Sequence, residues 1–275
     1  MLKLLVMMSL GFSPCPNDTF IFYALANKKI DTCGLDFNLV IEDVETLNRL
    51  ALKKEADITK ISCHAFYYLK DEYRFLHAGG ALGRGCGPLI VAKECGPKDL
   101  DNRKIAVPGK LTTAFLLYKL FASAFGIHPS AFIELPFHEI MNAVRDGKAD
   151  AGLIIHESRF TYQDYGLVKI ADLGEWWEKE TGLPIPLGCI IARKSLGGPL
   201  IKTVEDLIRA SVNYSLAHGD EVMPYIRKYS QELSEAVIRD HISLYVNSYT
   251  VDIGRDGLAA LDELLSRADS ACCTG

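Results

Sequence analysis

Residues 10–20, Leu-Gly-Phe-Ser-Pro-Cys-Pro-Asn-Asp-Thr-Phe, constrain the fold more than any other stretch of this chain. They follow an apolar run at 4–10 that suits a buried strand, and they lead into another at 20–26 that suits a buried helix face. Pro14 and Pro16 offer no N–H, and each biases the residue before it to extended geometry, so helix is not expected through this turn. Asn17, Asp18 and Thr19 are all N-cap residue types, which sets the expected helix start there. A strand, a tight polar turn and a helix N-terminus together present free backbone N–H groups, and such a pocket favours an anionic or strongly polar ligand. The same residues would also make a well-capped connection with no ligand, and both readings stand at this point.

These eleven residues resemble the opening signature of the 1,4-dihydroxy-6-naphthoate synthase family, which acts in the futalosine route to menaquinone. The Pro-Cys-Pro-Asn-Asp segment is far more specific than a spaced-glycine pattern, and the likeness runs along most of the chain. The resemblance implies an α/β, two-lobed periplasmic-binding-protein-like (type II) fold with an interlobe ligand cleft. A length of 275 residues agrees, being too long for one small core and suited to one large or two medium α/β lobes.

Composition narrows the function classes. With 49% hydrophobic and 24% charged residues the chain reads as a soluble globular protein. A net charge of −5 and scattered Lys and Arg argue against a nucleic-acid surface and against a membrane-attracting basic cluster. The first twelve residues superficially resemble a secretory signal, but no small-x-small cleavage site precedes the polar turn. They read instead as the first buried strand of a cytoplasmic protein, and no apolar stretch nears the roughly 20 residues of a membrane span. Eight cysteines, at 15, 33, 63, 86, 95, 189, 272 and 273, show no Cys-x-x-Cys spacing, and the seven histidines fall at no zinc-site interval. No metal site is expected, and the thiols read as reduced and structural, with Cys272 and Cys273 exposed in a polar tail.

A helix–turn–strand device occurs twice. Helix 45–54 leads through Ala56-Asp57 into strand-like residues ending at Lys60, Ile61 and Ser62; helix 138–145 leads through Ala149-Asp150 into residues ending at Ile155 and His156. Ligands of open α/β sheets bind beyond the carboxyl ends of strands, so 60–64 and 156–159 are candidates to face a common cleft. Strand-like 73–78 precedes a run, 79–88, that reads as a flexible hinge crossing because five of its ten residues are glycine. A return crossing is expected near 184–192. This places 1–88 and 190–275 in a discontinuous first lobe and 89–189 in an inserted second lobe. Crossings lying side by side would make Cys86 and Cys189 candidates for a disulfide latch. Within the insert, Thr112 and Thr113 stand at the start of an apolar helix that Gly126 closes, a second junction with hydroxyls and N–H groups. The last third reads as helices at 204–218, 220–229, 234–241 and 255–268, with 243–254 extended between them.

His156 is the candidate general base, because a histidine emerging from a buried strand into a cleft can take a proton near neutral pH. The bland alternative is a satisfied packing histidine. The resemblance favours the first, since the family's catalytic histidine maps onto His156. It also implies substrate binding by Lys60, Ile61 and Ser62 and by Thr112 and Thr113, whose hydroxyls and helix N-terminus suit a carboxylate. Asn17, Asp18 and Thr19 face the same choice between capping and binding. His64 is a candidate to line the cleft, Arg159 and Tyr162 are candidates to close over a ligand, and Cys15 reads as a packing residue. Glu157 would alternate to the far face of a continuing strand. The resemblance implies a lyase that converts cyclic dehypoxanthine futalosine to 1,4-dihydroxy-6-naphthoate, a small carboxylate chemistry needing no cofactor. Two alternatives keep the fold: a chorismate dehydratase of the same pathway, and a carrier of small anions without chemistry. Oligomeric state is not legible.

Overall fold

The computed structural model describes residues 6–94, 100–230 and 234–272. Leu4, Leu5, Cys95 and Cys273 lie outside these, as does the Cys272 side chain. The chain opens with β1 (Val6–Phe12), α1 (Pro16–Ala26), β2 (Leu35–Ile41), α2 (Val44–Leu52), β3 (Ile58–Ser62), α3 (Cys63–Phe66) and β4 (Tyr73–Gly83). It continues through β5 (Leu89–Ala92), β6 (Lys104–Val107), α4 (Thr113–Phe125), β7 (Ala131–Glu134), α5 (Ile140–Arg145), β8 (Ala151–Ile154), α6 (Ser158–Thr161), β9 (Val168–Asp172) and α7 (Leu173–Thr181). It closes with β10 (Ile185–Arg193) and the helices α8 (Gly198–Ala217), α9 (Gly219–Tyr229), α10 (Glu235–Tyr245), α11 (Ser248–Val251) and α12 (Gly254–Cys272).

The strands form two five-stranded sheets, ordered β2-β1-β3-β10-β4 and β7-β6-β8-β5-β9. In each, a central strand has parallel neighbours on both sides, β1 between β2 and β3 and β6 between β7 and β8, and the remaining strands join antiparallel. The two Ala-Asp turns play matching parts. Asp57 accepts hydrogen bonds from Ser9 N (3.0 Å) and Oγ (3.1 Å) on β1, and Asp150 accepts one from Lys104 N (2.8 Å) at the start of β6. Each carboxylate ties the strand that follows it to the centre of its sheet.

The glycine run is not the flexible linker expected. Gly79, Gly80 and Gly83 lie within β4, which pairs with β10 through Ile185↔Gly83 and Leu82↔Pro186. Gly79 is small because β10 is close: a Cβ there would stand 2.2 Å from Ile190 Cδ1. The chain leaves this sheet only after Gly83, and at Gly87 it runs against Gly174, where a Cβ would meet backbone at 2.3 Å. Residues 243–254 are also not extended. α10 runs on to Tyr245, and Asn247 then builds a capping box for α11, accepting from Tyr249 N (2.9 Å) while Thr250 Oγ1 accepts from Asn247 N (3.1 Å). Their β-branched and aromatic alternation had the period of a strand, and local capping overrides it.

The core has three parts. Leu10, Phe22, Ile190 and Ile208 are buried between the first sheet and α1, α8 and α9. Leu89, Val91, Ile140 and Ile154 are buried under one face of the second sheet. The largest cluster, with Ile61, Ile105, Leu117, Ile191 and Leu264, runs continuously from one sheet to the other, and α12 crosses it to touch α3, α4 and β10. Among the described residues no helix is long and apolar enough to cross a membrane.

Candidate active site

The turn after β1 is built differently from expectation. α1 begins at Pro16 with Cys15 as its N-cap; proline fits there because the first helical N–H has no partner to lose and its φ is already helical. Asn17, Asp18 and Thr19 are therefore first-turn residues rather than caps. Thr19 is fully buried with its hydroxyl turned back on Cys15 O (3.0 Å), so it does not reach the cleft. Asp18 folds back over the turn: its Oδ2 accepts from Ser13 N (3.1 Å) and Ser13 Oγ (2.7 Å), and its Oδ1 accepts from Asn17 Nδ2 (2.8 Å). The anion held by this turn is the protein's own.

Lys60 neutralises it. Its Nζ lies 2.6 Å from Asp18 Oδ1, both side chains almost fully buried, in an ion-pair contact without hydrogen-bond alignment. Lys60, Ile61 and Ser62 end β3, and Ser62 is held by the buried Asn48 through Ser62 N→Asn48 Oδ1 (2.9 Å). Across the cleft, Thr112 is the N-cap of α4, accepting from Phe115 N (3.2 Å) and donating to Gly109 O (2.7 Å). Thr113 Oγ1 donates to Leu187 O (2.8 Å) on β10 and accepts from His64 N (3.1 Å). Both hydroxyls thus have structural partners, and the helix start they shape borders the cavity. His64 sits behind that start, with Nδ1 3.2 Å from Thr112 O, and does not line the cavity.

His156 follows β8 after one residue and has φ 56°, the left-handed region that costs a non-glycine residue strain. This reversal ends the strand alternation. Glu157 therefore turns back toward His156 instead of to the far face, and one donor atom each from Cys15, His156 and Glu157 lie within 4.8 Å of one another. Sequence spacing could not show this trio, whose donor types a soft divalent cation also uses. Burial, reinforced by Glu157 and Asp18, pushes the Cys15 thiol well above its ordinary range, so it keeps its proton and the trio reads as a polar network. The His156 ring packs against Phe137 at 5.1 Å and stacks over His241 at 6.2 Å. Burial, with Lys60 pushing the same way against Asp18 and Asp43, brings His156 down to about 4, so it is a neutral base at neutral pH.

All the expected site residues except Thr19 line one cavity, open at its mouth. Ser13 and Tyr245 line it too, and the sequence had marked neither. Arg159 does not close over it: it bonds Gly87 O (2.6 Å) and Asp172 Oδ2 (2.6 Å), pinning the crossing between the sheets. Tyr162 packs beside the core of the second sheet. Cys86 and Cys189 are both free thiols, and Cys189 neighbours Cys63 instead, which overturns the disulfide latch.

With this geometry in place, comparison with known proteins is decisive. A model of a menaquinone biosynthesis family matches residues 8–270. The chain belongs to that family. Within it, the chain is 48% identical over 262 residues to the 1,4-dihydroxy-6-naphtoate synthase of Thermus thermophilus, covering 95% of this chain and 93% of that one. It is 47% identical over 264 residues to the synthase of the same name from Streptomyces coelicolor, covering 95% and 92%. The family fold is that of periplasmic binding proteins. The Candida albicans CA3427 product, described as exhibiting the generic periplasmic binding protein fold, superposes with a TM-score of 0.72 at 15% identity, over 97% of this chain and 91% of that one.

Proposed function

We propose that this member of the menaquinone biosynthesis family is a carbon–carbon lyase that converts cyclic dehypoxanthine futalosine to 1,4-dihydroxy-6-naphthoate, with His156 as general base. The observation that carries the reading is the state of His156: a neutral imidazole, strained into the left-handed region, at the rim of a cavity that also receives the start of α4. His156 takes the proton of a hydroxyl on the sugar-derived part of the substrate. The O–H electron pair becomes the second bond of a carbonyl, and the adjacent carbon–carbon bond breaks. Its electron pair stays with the ring being made aromatic, and a three-carbon fragment leaves. The backbone N–H groups at the start of α4, beside Thr112 and Thr113, hold the substrate carboxylate, since both threonine hydroxyls donate within the protein. The Lys60–Asp18 pair adds no net charge, so selection for an anion comes from α4. Closure of the cleft would exclude water during the step.

Purified protein incubated with the futalosine substrate is expected to release the naphthoate, with a drop of about 100-fold or more in His156→Ala. No product from folded native protein would overturn the reaction. Turnover of chorismate instead would point to the dehydratase, and binding of small carboxylates without turnover would point to a carrier.

A further inference from the structure

The cavity wall holds several hydroxyls, and the protein uses most of them itself. Ser13 Oγ donates to Asp18 Oδ2 (2.7 Å), Thr112 Oγ1 to Gly109 O (2.7 Å) and Thr113 Oγ1 to Leu187 O (2.8 Å). Ser62 Oγ accepts from Asn48 Nδ2 (3.3 Å) at the end of β3. Tyr245 differs. It is 7% exposed and lines the cavity. Among the described residues its hydroxyl has no hydrogen-bond partner, and it is not sealed in the interior as the Tyr118 hydroxyl is. A polar hydrogen held in a largely buried wall without an acceptor is costly, and an acceptor entering the cavity recovers the bond. The fold fixes this phenol in place. Tyr245 ends α10, its carbonyl accepts from Thr250 Oγ1 (3.2 Å), and its ring lies 4.6 Å from that of His241 one turn earlier. His156 stacks on the same imidazole at 6.2 Å. The candidate base and the free phenol therefore lean on one buried ring and line one cavity.

We propose that the Tyr245 hydroxyl is a catalytic hydrogen-bond donor of this site, and that it donates to the ring oxygen of the substrate on which negative charge develops as the carbon–carbon bond breaks. This rests on the proposed lyase reading. The product carries two ring hydroxyls, so the ring that keeps the electron pair has a conjugated oxygen to receive the charge. His156 takes the proton of the sugar-derived hydroxyl, the pair of the broken bond moves into the ring, and the imidazolium returns the same proton to the product. The phenol keeps its own proton throughout, so nothing is oxidised or reduced. A donor already fixed in the wall suits this step, because it does not have to reorganise when the charge appears. Burial, with Cys86, Glu157 and Asp172 pushing the same way against Arg159, holds the phenol above its ordinary range, so it is an O–H donor at any working pH. Beside it Ala81, Pro88 and Leu187 give the cavity an apolar wall for a flat ring system. The start of α4 takes the carboxylate, and Tyr245 takes an oxygen of the ring.

Tyr245→Phe tests it by removing the hydroxyl alone. That hydroxyl bonds no described residue, so the thermal melt of the variant is expected to match the native one. Its kcat/KM is expected to fall about tenfold or more. Its Kd for 1,4-dihydroxy-6-naphthoate, titrated by the fluorescence of the naphthalene ring, is expected to rise by a smaller factor, about fivefold, because full charge sits on the oxygen only in the transition state. Unchanged kcat/KM in the folded variant would overturn the catalytic role. Equal naphthoate affinity in native and variant protein would overturn the contact, even where the native protein shows no turnover. Native protein that binds naphthoate more tightly than the variant but releases no product would sink the lyase reading and leave the contact standing, whereas native protein that does not bind naphthoate overturns both. Should Tyr245→Phe fail to fold, a crystal structure of the native protein with naphthoate carries the test. The Tyr245 hydroxyl about 3 Å from a ring oxygen supports the donor, and ring oxygens bonded elsewhere overturn it.

Discussion

Asp18 and Lys60 show how one residue pair shapes the cleft wall. Each is almost fully buried, so removing one partner leaves the other's charge without compensation. Lys60→Met is expected to cost about 3–5 kcal/mol in urea unfolding, and the double change Lys60→Met with Asp18→Asn to recover most of it. Two histidines set a pH window. His64 and His156 are both lowered from 6.5 to about 4, mainly by burial. Between those values the unfolded chain binds protons that the folded chain refuses. Their contribution to stability is complete above pH 6.5 and is lost as pH falls toward 4. Denaturant melts from pH 7 to 4 should show that fall, and His64→Gln should flatten part of it. His156 itself, being neutral over the same range, should hold kcat/KM on a plateau down to about pH 5, well below a solvent-exposed imidazole.

At the scale of elements, the start of α4 and the end of β3 were legible because turn chemistry is local. Thr112 as a cap, Gly126 closing α4 in the left-handed region and the twin Ala-Asp turns all follow from residues a few positions apart. The misreading of the glycine run came from distant neighbours. The glycine run looks like a hinge, yet Gly79 of β4 is small because Ile190 of β10 presses against it, over a hundred residues away in the chain, and Gly87 beyond β4 is small because Gly174 of α7 does. Gly87→Ala would drive a Cβ into the Gly174 backbone and is expected to cost at least about 1–3 kcal/mol, seen as a lower melting temperature with the cleft geometry disturbed. Asn247→Ala, losing only the cap of α11, should cost about 1 kcal/mol.

Across the whole molecule, the two sheets are joined by more than the chain crossings. Thr113, at the start of α4 beside the second sheet, donates to Leu187 O in β10 of the first and accepts from His64 N. Thr113→Val leaves both of those groups without this partner and should cost about 2 kcal/mol by urea melts. Some readings needed only the sequence: two α/β units with a cleft between them, and His156 as the candidate base. Apolar period, caps and a dense motif are written in contiguous residues, and the family matches agree with the fold they implied. Tertiary structure alone decided that Asp18 fills its own turn, that Thr19 faces inward and that Cys189 meets Cys63 instead of Cys86. It alone brought His241 and Glu157 behind the base from positions 84 residues apart. The physical reason is that hydrogen-bond direction, burial and charge at such a site depend on groups that only folding brings within a few ångströms, and no local pattern in the chain encodes their distance.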